Sequence, residues 1–168
     1  MRFLRRHKLE RGAVPEEDRA QVELDPVAIF RTDGVTEGWI RRSDLRLSDL
    51  RLSDQLNTGA ALHVRLPGVV GVEDWQVLSA DDVIAVAVPP HPNPSPHRIS
   101  RRRHVLELEA PPYHITGTVH MPPGADPARY ARSAPHRWLA LTQATIEFAG
   151  NMFEVEVLLA NLDHVLRI

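Results

Sequence analysis

Five prolines within eight residues, from Pro89 to Pro96, divide this chain of 168 residues into two segments. A proline-dense run cannot form a helix or a central strand, because each proline lacks a backbone N–H and has a fixed φ. It adopts an extended, semi-rigid conformation that is typical of a linker. The sequence therefore predicts a linker over 89–99 between two domains, 26–88 and 100–168, with a charged, flexible arm over 1–25 ahead of them.

Both segments consist of short β-prone runs that are separated by turn residues. Thr32-Asp33-Gly34 lies between two such runs and predicts a hairpin over 26–31 and 35–42. Short helices are expected near 49–57 and after Asp126-Pro127, where an N-cap residue precedes a proline at the first helical position. Further strands are predicted at 61–66, 74–78, 83–88, 105–109, 114–120, 138–142, 144–148, 153–159 and 164–168. The predicted class is all-β with short helices.

The two segments also resemble each other. Gly38 lies inside a predicted strand of the first, and Gly117 lies at the matching place in the second, where a glycine indicates a bulge or a close backbone approach. At the ends, Asp81-Asp-Val-Ile-Ala-Val86 matches Asp163-His-Val-Leu-Arg-Ile168. The shift is 79 residues at the glycines and 82 at the ends. The same order of elements, with glycines and turn residues at matching places, predicts an internal duplication. The alternative is a single sheet whose strands match by chance.

The repeated segments carry a family resemblance. His114-Ile-Thr-Gly-Thr-Val, Trp138-Leu-Ala-Leu-Thr-Gln-Ala and the run from Leu158 to Ile168 resemble a bacterial domain that is similar to the Sm-like proteins. The resemblance implies two tandem, small, Sm-like β-barrels or rolls that assemble through their edge strands, and many Sm-like proteins bind RNA. In the Sm pattern an Asp and an Asn, and an Arg-Gly or Lys-Gly step, contact RNA. The corresponding stretches here read Trp138-Leu-Ala-Leu-Thr and Ala160-Asn-Leu-Asp-His, so neither signature is intact and no binding residue is carried over.

Composition narrows the possible functions. The chain has no cysteine, which excludes disulfides, thiolate metal sites and a cysteine nucleophile. The formal net charge is −2, so the chain as a whole is not a nucleic-acid polycation. No apolar run has the length of a membrane span, and the basic start lacks the apolar segment of a signal peptide. We expect a cytoplasmic protein that does not act at a membrane.

No residue pattern predicts catalysis, a cofactor or a metal. His114 and His120 lie on one face of an expected strand but about 20 Å apart, too far for one ion. Asp163-His164 could belong to a catalytic triad, but a turn before the last strand is the favoured interpretation. Glycine-rich phosphate loops are absent from the sequence. The sequence therefore predicts a non-enzymatic protein without a cofactor.

Two groups of residues remain as candidate contact sites. Arginine side chains match phosphate oxygens in geometry, which makes the basic clusters possible contacts for nucleic acid or another anion. Tryptophans favour interfaces, although they also fill cores. The candidate anion contacts are Arg98, Arg101, Arg102, Arg103, Arg5 and Arg6, and the candidate interface residues are Trp39, Trp75 and Trp138.

These observations give two functional hypotheses. The first is a protein-interaction or scaffold module that self-associates as a homo-oligomer or binds a protein partner, because duplicated β units carry exposed edges. The second is a nucleic-acid-binding protein that uses the arginine-rich arm and the end of the linker.

Overall fold

The computed structural model describes residues 5–8, 24–41, 52–67, 75–90, 101–133 and 137–168. Within these residues the chain forms mainly strands, with two short helices and two single turns of 3-10 helix. The strands are β1 (Arg5–Lys8), β2 (Leu24–Arg31), β3 (Gly34–Arg41), β4 (Leu62–Arg65), β5 (Trp75–Leu78), β6 (Ala85–Val88), β7 (Arg102–Ala110), β8 (Tyr113–Met121), β9 (Trp138–Phe148) and β10 (Asn151–Asn161). The helices are α1 (Leu52–Asn57) and α2 (Pro127–Ser133), and the 3-10 turns are Ala80–Asp82 and Leu162–His164.

The strands form one sheet that crosses both halves of the chain. Its order is β5-β4-β3-β2-β6-β10-β9-β8-β7, and all neighbours along this path are antiparallel. The all-β class is therefore confirmed. The described ladder is open at β5 and at β7, so a closed, Sm-like barrel in each half remains a prediction.

The predicted arm and linker differ from the structure where residues are described. Arg5–Lys8 forms β1, which pairs in parallel with Asn151–Glu154 of β10, although the sequence predicted a flexible arm. The first domain strand begins at Leu24 and not at residue 26. Pro89 and Pro90 follow β6 outside any strand, as the proline run predicts, and residues 91–100 lie outside the described residues.

The two hairpins that open the halves have the same register. In β2 and β3, Ala28 is opposite Glu37, and in β7 and β8, Glu107 is opposite Thr116. Each pair follows from the other by the shift of 79 residues that relates Gly38 to Gly117. The matched order continues along the chain, because a helix, two more strands and a 3-10 turn follow the hairpin in each half.

Both halves end on a 3-10 turn that leads back to the first strand. The Ser79 side chain caps the first turn by accepting a hydrogen bond from the Asp81 N–H, and Asn161 caps the second by accepting from the Asp163 N–H. The turn predicted at Asp163, before the end of the chain, is confirmed. The residues of the two 3-10 turns are related by the shift of 82 that the sequence indicated.

The returning segments pair at matched positions as well. Phe30 is opposite Ala85 in the first half, and Glu109 is opposite Arg167 in the second. The second pairing is a single bridge, so the predicted strand over 164–168 is wrong in extent. His164 belongs to the 3-10 turn, which leaves too few residues for a longer strand.

Two buried clusters lie on opposite faces of β2 and β6. Ile29 and Val86 belong to the cluster inside the first half, whereas Phe30 and Ala85 belong to the cluster inside the second. Burial on both faces explains why these strands read as continuous apolar runs and not as alternating ones. The halves consequently share their cores through the β6–β10 pairing.

The two strand glycines allow close packing, as the sequence predicted. A Cβ at Gly38 would lie 2.7 Å from the Arg65 carbonyl oxygen, and one at Gly117 would lie 2.9 Å from the Leu141 Cβ. Opposite Gly117 the pairing of β8 and β9 shifts register, and Gln143 has a positive φ of 51°. This bulge lies within one continuous strand, β9, where the sequence predicted two.

Both helices are close to their predicted positions. α1 begins at Leu52, with residues 49–51 outside the described part, and turns out of the helix through Gly59 at φ 82°. α2 begins at Pro127, and the Asp126 carboxylate accepts the Arg129 N–H at 2.7 Å. That hydrogen bond is the N-cap that the sequence predicted.

Candidate interaction surfaces

Exposed apolar side chains lie at the two ends of the described sheet. Val77 on β5 is 61% exposed, Val105 on β7 is 67% exposed, and Leu166, next to the Arg167 bridge, is 79% exposed. They are the large hydrophobic residues that the described part of the chain presents to solvent. β5 and β7 are the terminal strands of the path, and the segment around Leu166 bridges to β7 at Glu109. The apolar exposure therefore coincides with the ends of the sheet, where another strand could pair.

The first of these ends is a short strand edge next to a tryptophan. β5 pairs with β4 on one side, and no other described strand pairs with it. The Trp75 side chain is half-buried, and the Arg41 guanidinium lies 4.5 Å from the centre of its ring. That cation–π contact orients the indole at the edge. We refer to β5, with Trp75 and Val77, as the β5 edge.

The other two predicted interface tryptophans are interior residues. Trp138 is 3% exposed and packs in the cluster inside the first half, and Trp39 on β3 is also buried. The Trp138 backbone N–H donates to the Asn57 side-chain oxygen at 2.7 Å, which connects β9 to α1. The indole nitrogen of each is buried without a hydrogen-bond partner. The sequence alone did not distinguish these core positions from the edge position of Trp75.

The predicted arginine contacts lie on separate strands. Arg101, Arg102 and Arg103 are all exposed at the start of β7. Arg5 and Arg6 belong to β1, which pairs with β10, and two strands, β9 and β8, separate β10 from β7. Arg98 lies outside the described residues. The backbone topology therefore does not place the two basic clusters on adjacent strands.

A polar junction, which the sequence did not reveal, connects the two 3-10 turns. The Arg137 guanidinium forms an ion pair with Asp81 of the first turn and, through Nε, with Asp163 of the second at 2.7 Å. The His164 ring Nε2 is 2.8 Å from the Asp81 carbonyl oxygen. Asn161, which is fully buried, donates to the carbonyl oxygens of Ala80 at 3.0 Å and Val83 at 2.9 Å. We call these residues the turn junction.

The turn junction explains Asp163 and His164 as structural residues. Their contacts join two turns that are about 80 residues apart in the chain. Asp163 belongs to the turn that the sequence favoured, and the structure extends that turn to His164. Arg137 precedes β9 and lies far from both turns in sequence, so no local pattern connects it with them.

A buried tyrosine connects the hairpins of the two halves. The Tyr113 hydroxyl donates to the Arg31 carbonyl oxygen at 2.6 Å, and burial raises its pKa to about 12. Nearby, the pKa of Asp33 is lowered because its carboxylate accepts hydrogen bonds from the Arg31 guanidinium. Both arrangements stabilise one protonation state, the neutral phenol and the charged carboxylate.

The described residues contain no group of three or more histidines, aspartates and glutamates placed to hold a metal ion. Among these same residues, no helix is long and apolar enough to cross a membrane.

Comparison with protein-family models, with curated proteins and with solved structures gives no match. Any functional inference therefore comes from the residues of this chain.

Proposed function

We propose that this chain is a non-enzymatic, self-associating interaction module built from two copies of one small β unit. The observation that carries the proposal is the coincidence of exposed apolar side chains with open strand edges. Val77 lies on one terminal strand, and Val105 and Leu166 lie at the other end of the sheet. In this proposal the module has Sm-like β units, acts in the cytoplasm and requires no cofactor.

The physical basis is the cost of leaving such an edge uncovered. A terminal strand presents unpaired N–H and C=O groups that can accept a strand from another chain. Exposed charges or prolines normally prevent this pairing, but the β5 edge carries Val77 and a tryptophan instead. Covering Val77 would add apolar burial of roughly 1.5 kcal/mol or more to the new backbone hydrogen bonds.

The repeated pattern of pairing supports the idea of two copies. The hairpin register, the capped 3-10 turn and the bridge back to the first strand occur at matched positions in both halves. A unit that already joins its own copy within one chain, through β6 and β10, has a surface suited to joining others.

The native mass tests this proposal. Size exclusion with light scattering across a range of concentrations should give a multiple of the 18.9 kDa chain mass. Val77→Lys should lower the mass, because it replaces an apolar side chain that the contact would bury with a charge that would lose its hydration there. Gln76→Lys is the matched control, since its side chain is also exposed but lies on the other face of β5. A monomer at every concentration would contradict self-association.

Nucleic-acid binding is the second candidate, and the exposure of Arg101, Arg102 and Arg103 favours it. Anisotropy titrations against single-stranded RNA and DNA should show binding that weakens with salt. Replacing the three arginines with alanine should lower the slope of log K against log salt by about 2, because each phosphate contact in single strands contributes about 0.7. Arg41→Ala on β3 is the control, since that exposed side chain lies towards the other end of the sheet. Flat titrations at low salt would exclude this function.

A further inference from the structure

The pairing between β6 and β10 shows how one half accepts a strand from the other. Leu159 of β10 is opposite Val86 of β6, and both side chains are buried in the cluster inside the first half. Ile84, just before β6, is 1% exposed and packs in the cluster inside the second half. Each half therefore inserts an apolar side chain into the core of the other at this internal junction.

The matched positions at the opposite ends of the molecule have no such cover. In the first half, Leu62 of β4 is opposite Leu78 of β5. The equivalent pair in the second half is Leu139 of β9 and Ala160 of β10, so β5 corresponds to the end of β10. Val77 is then the counterpart of Leu159. Its exposure is 61%, whereas that of Leu159 is 3%.

The last residues of the second half show the same contrast. The capped 3-10 turns relate Val83–Val86 to Val165–Ile168 by the shift of 82. Leu166 is the counterpart of Ile84, and its exposure is 79% against 1%. Two of the three exposed large hydrophobic residues in the described chain are therefore counterparts of residues that the internal junction buries.

We propose that a second copy of this chain covers the β5 edge with its segment Val165–Ile168, in the register of the internal junction. Val77 is then opposite Ile168 of the second copy, and Leu78 is opposite Arg167. This inference rests on the proposed self-association and names its two surfaces. The contact is head-to-tail, because the two surfaces lie at different ends of the molecule.

Side-chain charge distinguishes this contact from the internal one. Where the first half has Ala28, Phe30 and Ala85, the second half has Glu107, Glu109 and Arg167. Charges on a strand edge and its neighbours weaken edge-to-edge pairing. We therefore expect the contact between chains to be reversible and dependent on concentration, whereas the internal junction persists in each chain.

Cysteine cross-linking tests the register, because the natural chain contains no cysteine. Val77→Cys and Ile168→Cys are prepared as separate proteins and mixed under mild oxidation. Residues directly opposite each other in an antiparallel pair lie close enough for a disulfide. The mixture should give a cross-linked dimer several-fold more abundant than that from either protein alone. The double variant should give a ladder of larger species on a non-reducing gel.

Gln76→Cys mixed with Ile168→Cys is the matched control, since its side chain lies on the other face of β5 and should cross-link several-fold less. Efficient cross-linking of Val77→Cys with itself would show that two β5 edges meet. That result would overturn the head-to-tail contact and leave self-association intact. An assembly of multiple chains without the Val77–Ile168 cross-link would have the same meaning. A monomeric mass at all concentrations would overturn both proposals.

Discussion

The first strands of the two halves, β2 and β7, have the same hairpin register, but the outer face of β2 is apolar and buried whereas that of β7 is charged and exposed. Facing inward, Ile29 of β2 and Leu108 of β7 are each fully buried in the core of their own half. Facing outward, Phe30 is fully buried, whereas its counterpart Glu109 is exposed. The same backbone position therefore lies inside a core in one half and in solvent in the other.

This difference between the inward and outward residues shows that they have separate structural roles. The inward residues are apolar in both halves, and they are sufficient to specify the repeated strand order and register. The outward residues decide what each half packs against. An apolar outer face allows β2 and β6 to be covered on both sides, while the charged outer face of β7 remains in solvent.

The largest expected effect is at this pair of positions. Phe30 contacts Tyr113 and Phe153 edge to face, with ring centres 5.6 and 5.8 Å apart. Phe30→Ala should lower the free energy of unfolding by about 3–5 kcal/mol, because it leaves a cavity between the halves. Glu109→Ala, the matched control, should change it by less than about 0.5 kcal/mol. Urea unfolding followed by tryptophan fluorescence measures both, and equal effects would contradict the comparison.

A second pair of matched positions tests how closely the strands pack. Gly38→Ala should cost about 1–3 kcal/mol, because its Cβ would overlap a backbone oxygen of Arg65 that cannot move away. Gly117→Ala should also destabilise the chain, since its Cβ would lie 2.9 Å from the Leu141 Cβ and 3.2 Å from the Ala144 Cβ, and neither atom can rotate away. Glu37→Ala on the same strand is exposed and serves as the control. A neutral Gly38→Ala in thermal unfolding would contradict the close approach.

Local features of the fold could be predicted from the sequence. The Asp33-Gly34 turn, the Asp126 cap and the two strand glycines depend on residues that are adjacent or nearly so. The 3-10 turns are also local, because the capping side chains of Ser79 and Asn161 accept hydrogen bonds from N–H groups two residues further along the chain. Side-chain chemistry over a few residues determines such structures.

Features that join distant parts of the chain could not be predicted. The pairing of β6 with β10 and the ion pairs of Arg137 depend on how two cores lie against each other. Short apolar strands such as Ala85–Val88 have no residue pattern that specifies a neighbour. Among the candidate site residues, Trp39, Trp75 and Trp138 are chemically identical in sequence, and only their burial separates two core residues from one edge residue.

The turn caps provide a third comparison. Asn161 donates to two carbonyl oxygens of the first half in addition to capping its own turn, whereas Ser79 only caps. Asn161→Ala should lower the free energy of unfolding by about 1–3 kcal/mol, because it removes two buried hydrogen bonds to the carbonyl oxygens of Ala80 and Val83. Ser79→Ala should cost about 0.5–1 kcal/mol, the usual loss of a cap. Chemical denaturation that gave the two variants the same loss would show that Asn161 does not stabilise the turn junction.

The smallest effect concerns Tyr113, whose counterpart in the first half is Gly34. Tyr113→Phe should cost about 1 kcal/mol near neutral pH, since it removes one hydrogen bond to the Arg31 carbonyl oxygen. The pKa of Tyr113 is about 12 in the folded chain, while an unfolded tyrosine has a pKa of about 10.

Because the folded-state pKa is raised, the contribution of the neutral phenol is complete below pH 10 and is lost as the pH rises towards 12. Tyr113→Phe lacks this titration, so the difference in stability between the two proteins should narrow over that interval. Urea unfolding at pH 8, 10 and 11 measures the difference. A constant difference across these values would mean that the Tyr113 hydroxyl titrates alike in the folded and unfolded chains, and that the hydrogen bond between the two hairpins contributes no protection.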